Sequence, residues 1–156
     1  MRKLFMLFIF ALLLKSYSMA INKIRVALFD VRAVNTSQVY ADKFYSELRN
    51  ALVKSKKMIV VTGSKKELIM KIEEWKKSGC TEVECIANAG GELGVDKVIS
   101  AELREMPGGY YEVDIMVVDV LSQEIEFIIQ SLKEEKVSKF NELAQRAVDA
   151  VSYTHL

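Results

Sequence analysis

Few residues in this chain have the types and spacing that chemistry needs. Its two cysteines, Cys80 and Cys85, bracket Thr81-Glu82-Val83-Glu84. Thr81 with Glu84 reads as a capping box, which puts Cys80 just before a helix cap and Cys85 at the fourth helical position, the two places that touch in a hydrophobic staple. The sulfurs are therefore expected to meet, and in an oxidising compartment to close a disulfide that fixes how the chain enters the helix. Its loop is short, so the stabilisation belongs at the low end of the usual range of about 2–4 kcal/mol. A zinc site needs four ligands, and beyond these two cysteines the sequence has one histidine, His155. A thioredoxin-like redox pair has two residues between its cysteines where this one has four.

The remaining candidates are weaker. Gly90-Gly91 with Gly94 has the glycine content of a phosphate loop, but neither the dinucleotide-binding spacing nor the lysine of a P-loop. Close helix packing and a helix stop explain these glycines better. Asp30, Asp114 and Asp119 could be paired carboxylates for acid–base work. They read as lying on separate elements, without a Ser or His arranged around them, and are expected to be strand-end, solvent-facing acids. Tyr110 and Tyr111 flank a turn; strand alternation sends one of them away from the core, which makes the pair a candidate partner contact. No residue is assigned to catalysis, to a cofactor or to a metal.

The elements that must position these residues alternate along the chain. Ile24 to Val31 is a dense apolar run, as expected of a strand covered on both faces. Asn35-Thr36-Ser37 can cap a helix on which Tyr40, Phe44, Leu48 and Leu52 recur every fourth residue. Met58 to Val61 is a short strand, parallel to the first through a helical crossover. Gly63 and the capping box Ser64-Lys65-Lys66-Glu67 open a helix bearing Leu68, Ile72 and Trp75, and Gly79 stops it before the cysteine-bearing helix. Asp96 to Glu105, the turn Pro107-Gly108-Gly109 and Tyr110 to Val120 form a hairpin. Ile125 to Leu132 adds a third antiparallel strand, with Phe127 and Ile129 alternating against Glu126, Ile128 and Gln130. Phe140, Leu143, Ala147 and Val151 mark a final helix. The fold class is α/β in the mixed sense, in the order βαβααβββα: a mixed sheet, parallel in its first half and a three-stranded antiparallel meander in its second, with helices packed on it.

The chain has 156 residues with 51% hydrophobic and 28% charged, the composition of a packed domain and not of a disordered chain. Its first twenty residues differ in kind. Arg2 and Lys3 precede an apolar run of 11 residues from Leu4 to Leu14, and Ser18-Met19-Ala20 sets small residues at a cleavage site, the pattern of a secretory signal peptide. Lys15 interrupts the run short of the roughly 20 apolar residues that a membrane span requires. No cysteine stands at the cleavage site to carry a lipid. Residues 22–151 then form one domain of a size that buries about two-thirds of its chain surface. Residues 152–156 read as a disordered or artefactual tail, which leaves open a further domain beyond it.

A formal charge of +1, which becomes −2 once residues 1–20 with Arg2, Lys3 and Lys15 are removed, gives no bulk attraction to nucleic acid. Charge is uneven: Lys54 to Lys77 holds 8 Lys against 3 Glu, whereas Glu102 to Glu135 holds 9 acids against Arg104 and Lys133. Two solvated faces account for this, as does self-association in which the basic helix of one copy meets the acidic sheet edge of the next.

The run Ile24-Arg25-Val26-Ala27-Leu28-Phe29-Asp30, then Ser78-Gly79-Cys80-Thr81-Glu82-Val83-Glu84-Cys85, then Gly90, Gly94, Asp96-Lys97-Val98-Ile99 and Val118-Asp119-Val120 resembles the TolB N-terminal-like and CsgG-like domains of bacterial envelope proteins. The likeness covers roughly residues 22–150, and its most specific part is the cysteine pair followed at fixed spacing by Gly90, Gly94 and Asp96-Lys97-Val98. It implies a non-catalytic periplasmic domain that serves secretion or envelope assembly. CsgG proteins look like lipoproteins with long membrane-inserting hairpins, and this chain has neither a lipid-acceptor cysteine nor the length for such hairpins. TolB carries a carboxy-terminal propeller, and no such repeat occurs here. The expected role is a non-enzymatic interaction or assembly domain whose partners are envelope proteins or further copies of itself. The other two readings are a subunit of a curli-type export channel in the outer membrane and a periplasmic hydrolase.

Overall fold

The computed structural model describes residues 23–61, 70, 73–74, 77, 79 and 81–153. Its elements are β1 (Arg25–Val34), α1 (Gln38–Ser55), β2 (Ile59–Val61), α2 (Glu82–Leu93), β3 (Lys97–Met106), β4 (Tyr110–Asp119), β5 (Glu124–Glu134) and α3 (Phe140–Tyr153). A single sheet of order β2-β1-β3-β4-β5 results, in which β1 runs parallel to β2 and β3 while β4 and β5 are antiparallel additions. The mixed α/β class and the meander are as expected. The signal segment, the helix of Leu68, Ile72 and Trp75 with its capping box, and Cys80 lie outside the described residues, as do residues 154–156 of the tail.

Local chemistry explains the starts and stops. The Ser37 hydroxyl accepts a hydrogen bond from the Val39 amide and caps α1; Lys56 ends it in the left-handed conformation with φ 56°. At α2 the expected capping box is complete: the Glu84 amide donates to Thr81 Oγ1 at 3.3 Å, and the Thr81 amide donates to Glu84 Oε2 at 2.8 Å. Gly94 closes the same helix with φ 61°, and its amide reaches the carbonyls of Gly90 and Gly91. The end of β2 at Val61 and the start of β4 at Tyr110 are as expected, and the other strand ends differ by one to three residues. The largest change is in β1, which continues to Val34 because a register shift between Leu28 and Val31 rephases its alternation against β3.

The two sheet faces are covered unequally. On one, α1 and α3 pack over the strands, and Phe44, Leu48 and Leu52 meet Phe140, Leu143 and Ala147 with Val31, Leu103, Val113 and Ile115 beneath them. On the other, among the described residues, α2 covers Ala27, Phe29, Val98 and Val118. α2 sits so close because Gly90 has no side chain. A Cβ placed there would stand 2.6 Å from Cγ2 of both Val98 and Val120, whereas at Gly91 the nearest atom would be Val120 Cγ1 at 3.8 Å. G90A is therefore expected to lower stability by about 1–3 kcal/mol through overpacking, measured by urea unfolding. In the same measurement G91A should be neutral or gain up to about 1 kcal/mol from helix propensity.

Candidate interaction face

Where α2 does not reach, the sheet carries charge in place of a hydrophobic layer. The register pairs Glu102 with Asp114 and Arg104 with Glu112 across β3 and β4, and Arg32 with Glu102 across β1 and β3. These residues alternate with Ala101, Leu103, Tyr111, Val113 and Ile115, all buried, so strand periodicity puts the charged set on the opposite side from the α1–α3 core.

Arg104 is the centre of this set. Its Nη1 donates to Glu102 Oε1 at 2.8 Å, and its Nη2 donates to Glu112 Oε1 at 3.2 Å and to Asp114. Arg32 adds a second cation on Glu102, donating from Nε at 2.9 Å. At the outer end Ser131, which has φ 59°, donates its amide to Asp114 Oδ1 at 2.9 Å and its hydroxyl to Glu112 Oε1 at 3.1 Å. A sequence-local break in β5 is thus held by the same acids that hold Arg104.

Electrostatics follow from this geometry. Asp114 and then Glu102 raise the Arg104 guanidinium above its ordinary pKa. Burial pushes the Glu102 carboxyl up, but the hydrogen bonds and charges of Arg32 and Arg104 outweigh it and hold the group below the usual carboxylate range. At the opposite end of the sheet, Lys97 Nζ reaches Asp119 Oδ2 at 3.1 Å and Glu126 Oε1 at 2.7 Å. Burial pulls this lysine down, and those two acids more than restore it, so its pKa lies above the ordinary value. Asp119 also accepts the Leu121 and Ser122 amides on Oδ1 at 3.0 and 2.9 Å, and is lowered first by the Ser122 amide and then by Lys97.

Several expectations change here. Asp114 and Asp119 lie on one strand, not on separate elements, and both are engaged with cations; Asp114 and Asp30 are mid-strand positions, not strand ends. Tyr111 is only 7% exposed and packs edge-on to Phe140 and Tyr40, at centroid distances of 5.3 and 5.7 Å. It belongs to the core and is corrected as a partner contact, because its strand phase is that of Val113 and Ile115. Tyr110, on the other phase, is half-buried on the charged side, with Lys133 Nζ 5.3 Å from its ring centre. Cys85 is fully buried. The acidic stretch from Glu102 to Glu135 is not a bare face, since Arg32, Arg104 and Lys97 answer five of its carboxylates. Arg104 was missed as a centre, although counting outward from the Pro107-Gly108-Gly109 turn pairs it with Glu112. Among the described residues no group of three or more His, Cys, Asp or Glu is placed to hold a metal, and no helix is long and apolar enough to cross a membrane.

No protein-family model matches the chain, and no curated protein sequence does. Solved structures share its fold. The C-terminal domain of LpoB from Escherichia coli is 14% identical with a TM-score of 0.55, over 72% of this chain and 83% of that domain. A PelC dodecamer from Paraburkholderia phytofirmans is 14% identical with a TM-score of 0.54, over 83% and 88%. TolB from Acinetobacter baumannii is 13% identical with a TM-score of 0.53, over 86% of this chain but 28% of TolB. At such identities the likeness is one of fold. It agrees with the TolB side of the resemblance read from the sequence and lends nothing to the CsgG side.

The ion network gives two expected outcomes. Because the folded pKa of Glu102 lies below its unfolded value of about 4.3, its contribution is fully present above that pH and is lost as pH falls through the folded value. The thermal midpoint should therefore fall on acidification through this window, and E102Q should flatten the fall; an equally steep fall in E102Q would exclude Glu102 as a source. Replacing Arg104 by Met leaves Glu112 and Asp114 without their cation on a partly buried face, while Glu102 keeps Arg32, and should cost about 2–3 kcal/mol in urea unfolding. Replacing Arg32, whose side chain is 68% exposed, should cost at most about 1 kcal/mol.

Proposed function

We propose that this chain is a non-enzymatic interaction and assembly domain of the bacterial periplasm, exported by the cleavable signal peptide of residues 1–20 and serving envelope transport or secretion. Residues 22–151 form the module. The observation that carries this reading is a fold shared with the LpoB C-terminal domain, with part of TolB and with PelC, on a sheet that, beyond the residues packed under α2, carries charge on its second face. The state of the acids supports it. A general acid needs a carboxyl raised toward neutrality, whereas Glu102 and Asp119 are both lowered by their partners. That is the electrostatics of a rigid surface, and it weighs against the hydrolase reading.

The Cys80–Cys85 disulfide is part of the same proposal. Cys85 lies in the fully buried row of α2 that packs on the sheet, four residues after the Thr81 cap. In protein purified from an oxidising compartment, alkylation under denaturing conditions should add no mass before reduction and two labels after it.

A second reading, a subunit of an oligomeric outer-membrane export channel, is favoured by one observation: a fold neighbour is a dodecamer. Native mass and fractionation of the full chain, expressed with its own first twenty residues in a Gram-negative host, separate the two. The interaction domain is expected in the soluble periplasmic fraction as a monomer or small oligomer. A large, detergent-dependent ring in the outer-membrane fraction would replace it with the channel.

A further inference from the structure

Among the described residues the sheet ends at β2 on one side and at β5 on the other. β2 and β3 are both parallel to β1, β4 is antiparallel to β3 and β5 to β4, so the two edge strands run in the same direction and start at the same end of the sheet. A second copy shifted across the sheet therefore lays its β2 beside the first copy's β5, parallel and with the starting ends level. Such a contact is head-to-tail.

The starting end of each edge carries one sign of charge. Lys54 in the last turn of α1, Lys56 at its cap and Lys57 lead into β2, and all three are exposed. β5 starts with Glu124, which is exposed, and Glu126, whose carboxylate meets Lys97 at 2.7 Å while its side chain stays 33% exposed. The sides of the sheet agree as well as the ends. α1 packs on β1 and β2 over the α1–α3 core, which puts Lys54 and Lys56 on that side. Glu124 pairs with Asp119, which has the strand phase of Val117 and so faces the same way.

The α2 side of both edges is apolar. Ile59 has the phase of Val61, which packs toward α2, and is 48% exposed. On β5, Ile125 beside Val118 and Ile128 beside Met116 share that side and are 41% and 48% exposed. Edge-on contact of β2 with β5 thus sets lysine against glutamate on one side and isoleucine against isoleucine on the other. Symmetric contacts lack this match. β5 on β5 opposes strands that each carry Glu124, Glu126 and Glu134 against Lys133, and β2 on β2 brings Lys54 and Lys56 upon themselves. Register shifts in β5 leave Phe127 to Ile129 as its regular stretch, matched to the three residues of β2, so the contact is short and guarded against indiscriminate strand addition.

We propose that the β2 edge of one copy docks on the β5 edge of the next, with Lys54 and Lys56 toward Glu124 and Ile59 against Ile125 and Ile128. This rests on the interaction-domain reading and makes a second copy of the chain the partner of that surface.

The test is sedimentation velocity over a range of concentrations, on the full chain expressed with its own first twenty residues and purified without detergent. The parent should associate reversibly, and less as salt is raised. K54E/K56E and E124K should each weaken association about tenfold or more, and so should I128S. An equimolar mixture of K54E/K56E with E124K should recover it, because opposite signs then face each other across every contact. The substituted side chains are exposed, so unfolding midpoints should match the parent. Unchanged association in the charge variants, or no recovery in the mixture, would overturn the proposal. Association that E124K strengthens and K54E/K56E leaves alone would replace it with a symmetric β5 contact. A chain that stays monomeric at every concentration would overturn the edge contact and leave the interaction domain, with another envelope protein as its partner. A detergent-dependent ring in the outer-membrane fraction would overturn that underlying reading and this proposal together.

Discussion

The pairing of β3 with β4 runs without a shift from Lys97 opposite Asp119 to Met106 opposite Tyr110, and the rest of the structure is hung on it. β1 joins β3 in parallel on one side and β5 joins β4 on the other, so this hairpin sets the phase of the whole sheet. Strand side chains alternate with a period of two, and a slip of one residue exchanges the faces. Here such a slip of β4 against β3 would drive Glu112 and Asp114 under α1 and α3 and expel Val113 and Ile115. The desolvation of two carboxylates torn from Arg104 disfavours that state. The Pro107-Gly108-Gly109 turn fixes the count from one end, with φ 102° and 80° at its glycines, a conformation that glycine adopts without strain.

Against this background the ion network acts more on specificity than on stability. A partly buried cluster of two guanidiniums and three carboxylates loses much of its Coulomb gain to desolvation. What it does enforce is geometry. Arg104 can satisfy Glu102, Glu112 and Asp114 together only in the observed register, and Ser131 can bond both Asp114 and Glu112 only where β5 breaks. The Lys97, Asp119 and Glu126 set does the same at the other end of the sheet, binding the start of β3 to the start of β5. Between the two networks the register shifts in β5 are tolerated because their ends are pinned.

What could be read from residues alone follows the range of the interaction concerned. Local signals came through: the Thr81–Glu84 capping box, the Ser37 cap, the Gly94 stop and the four-residue spacing of Phe44, Leu48 and Leu52 each depend on neighbours within a turn or two. The order of elements and the mixed sheet followed from them. Lost was anything requiring two strands to be laid side by side with their phase known. Tyr110 and Tyr111 are adjacent, and periodicity says that they part but not which goes inward; that is settled by Phe140 and Tyr40 waiting on one side. Asp114 looked solvent-facing because its cation lies ten residues away on the partner strand.

The uneven cover of the two faces ties these points together. α2 can sit close over Val98 and Val120 only because Gly90 offers no Cβ, and beyond a helix of 12 residues so placed the described part of that face carries charge. A chain selected for stability alone would extend the hydrophobic layer there, as α1 and α3 do on the other side. Instead this surface has its charges answered internally, so that they add little attraction of their own. Such a division commits the sheet's charge to fixing its own register, through Arg104 and the three acids it holds.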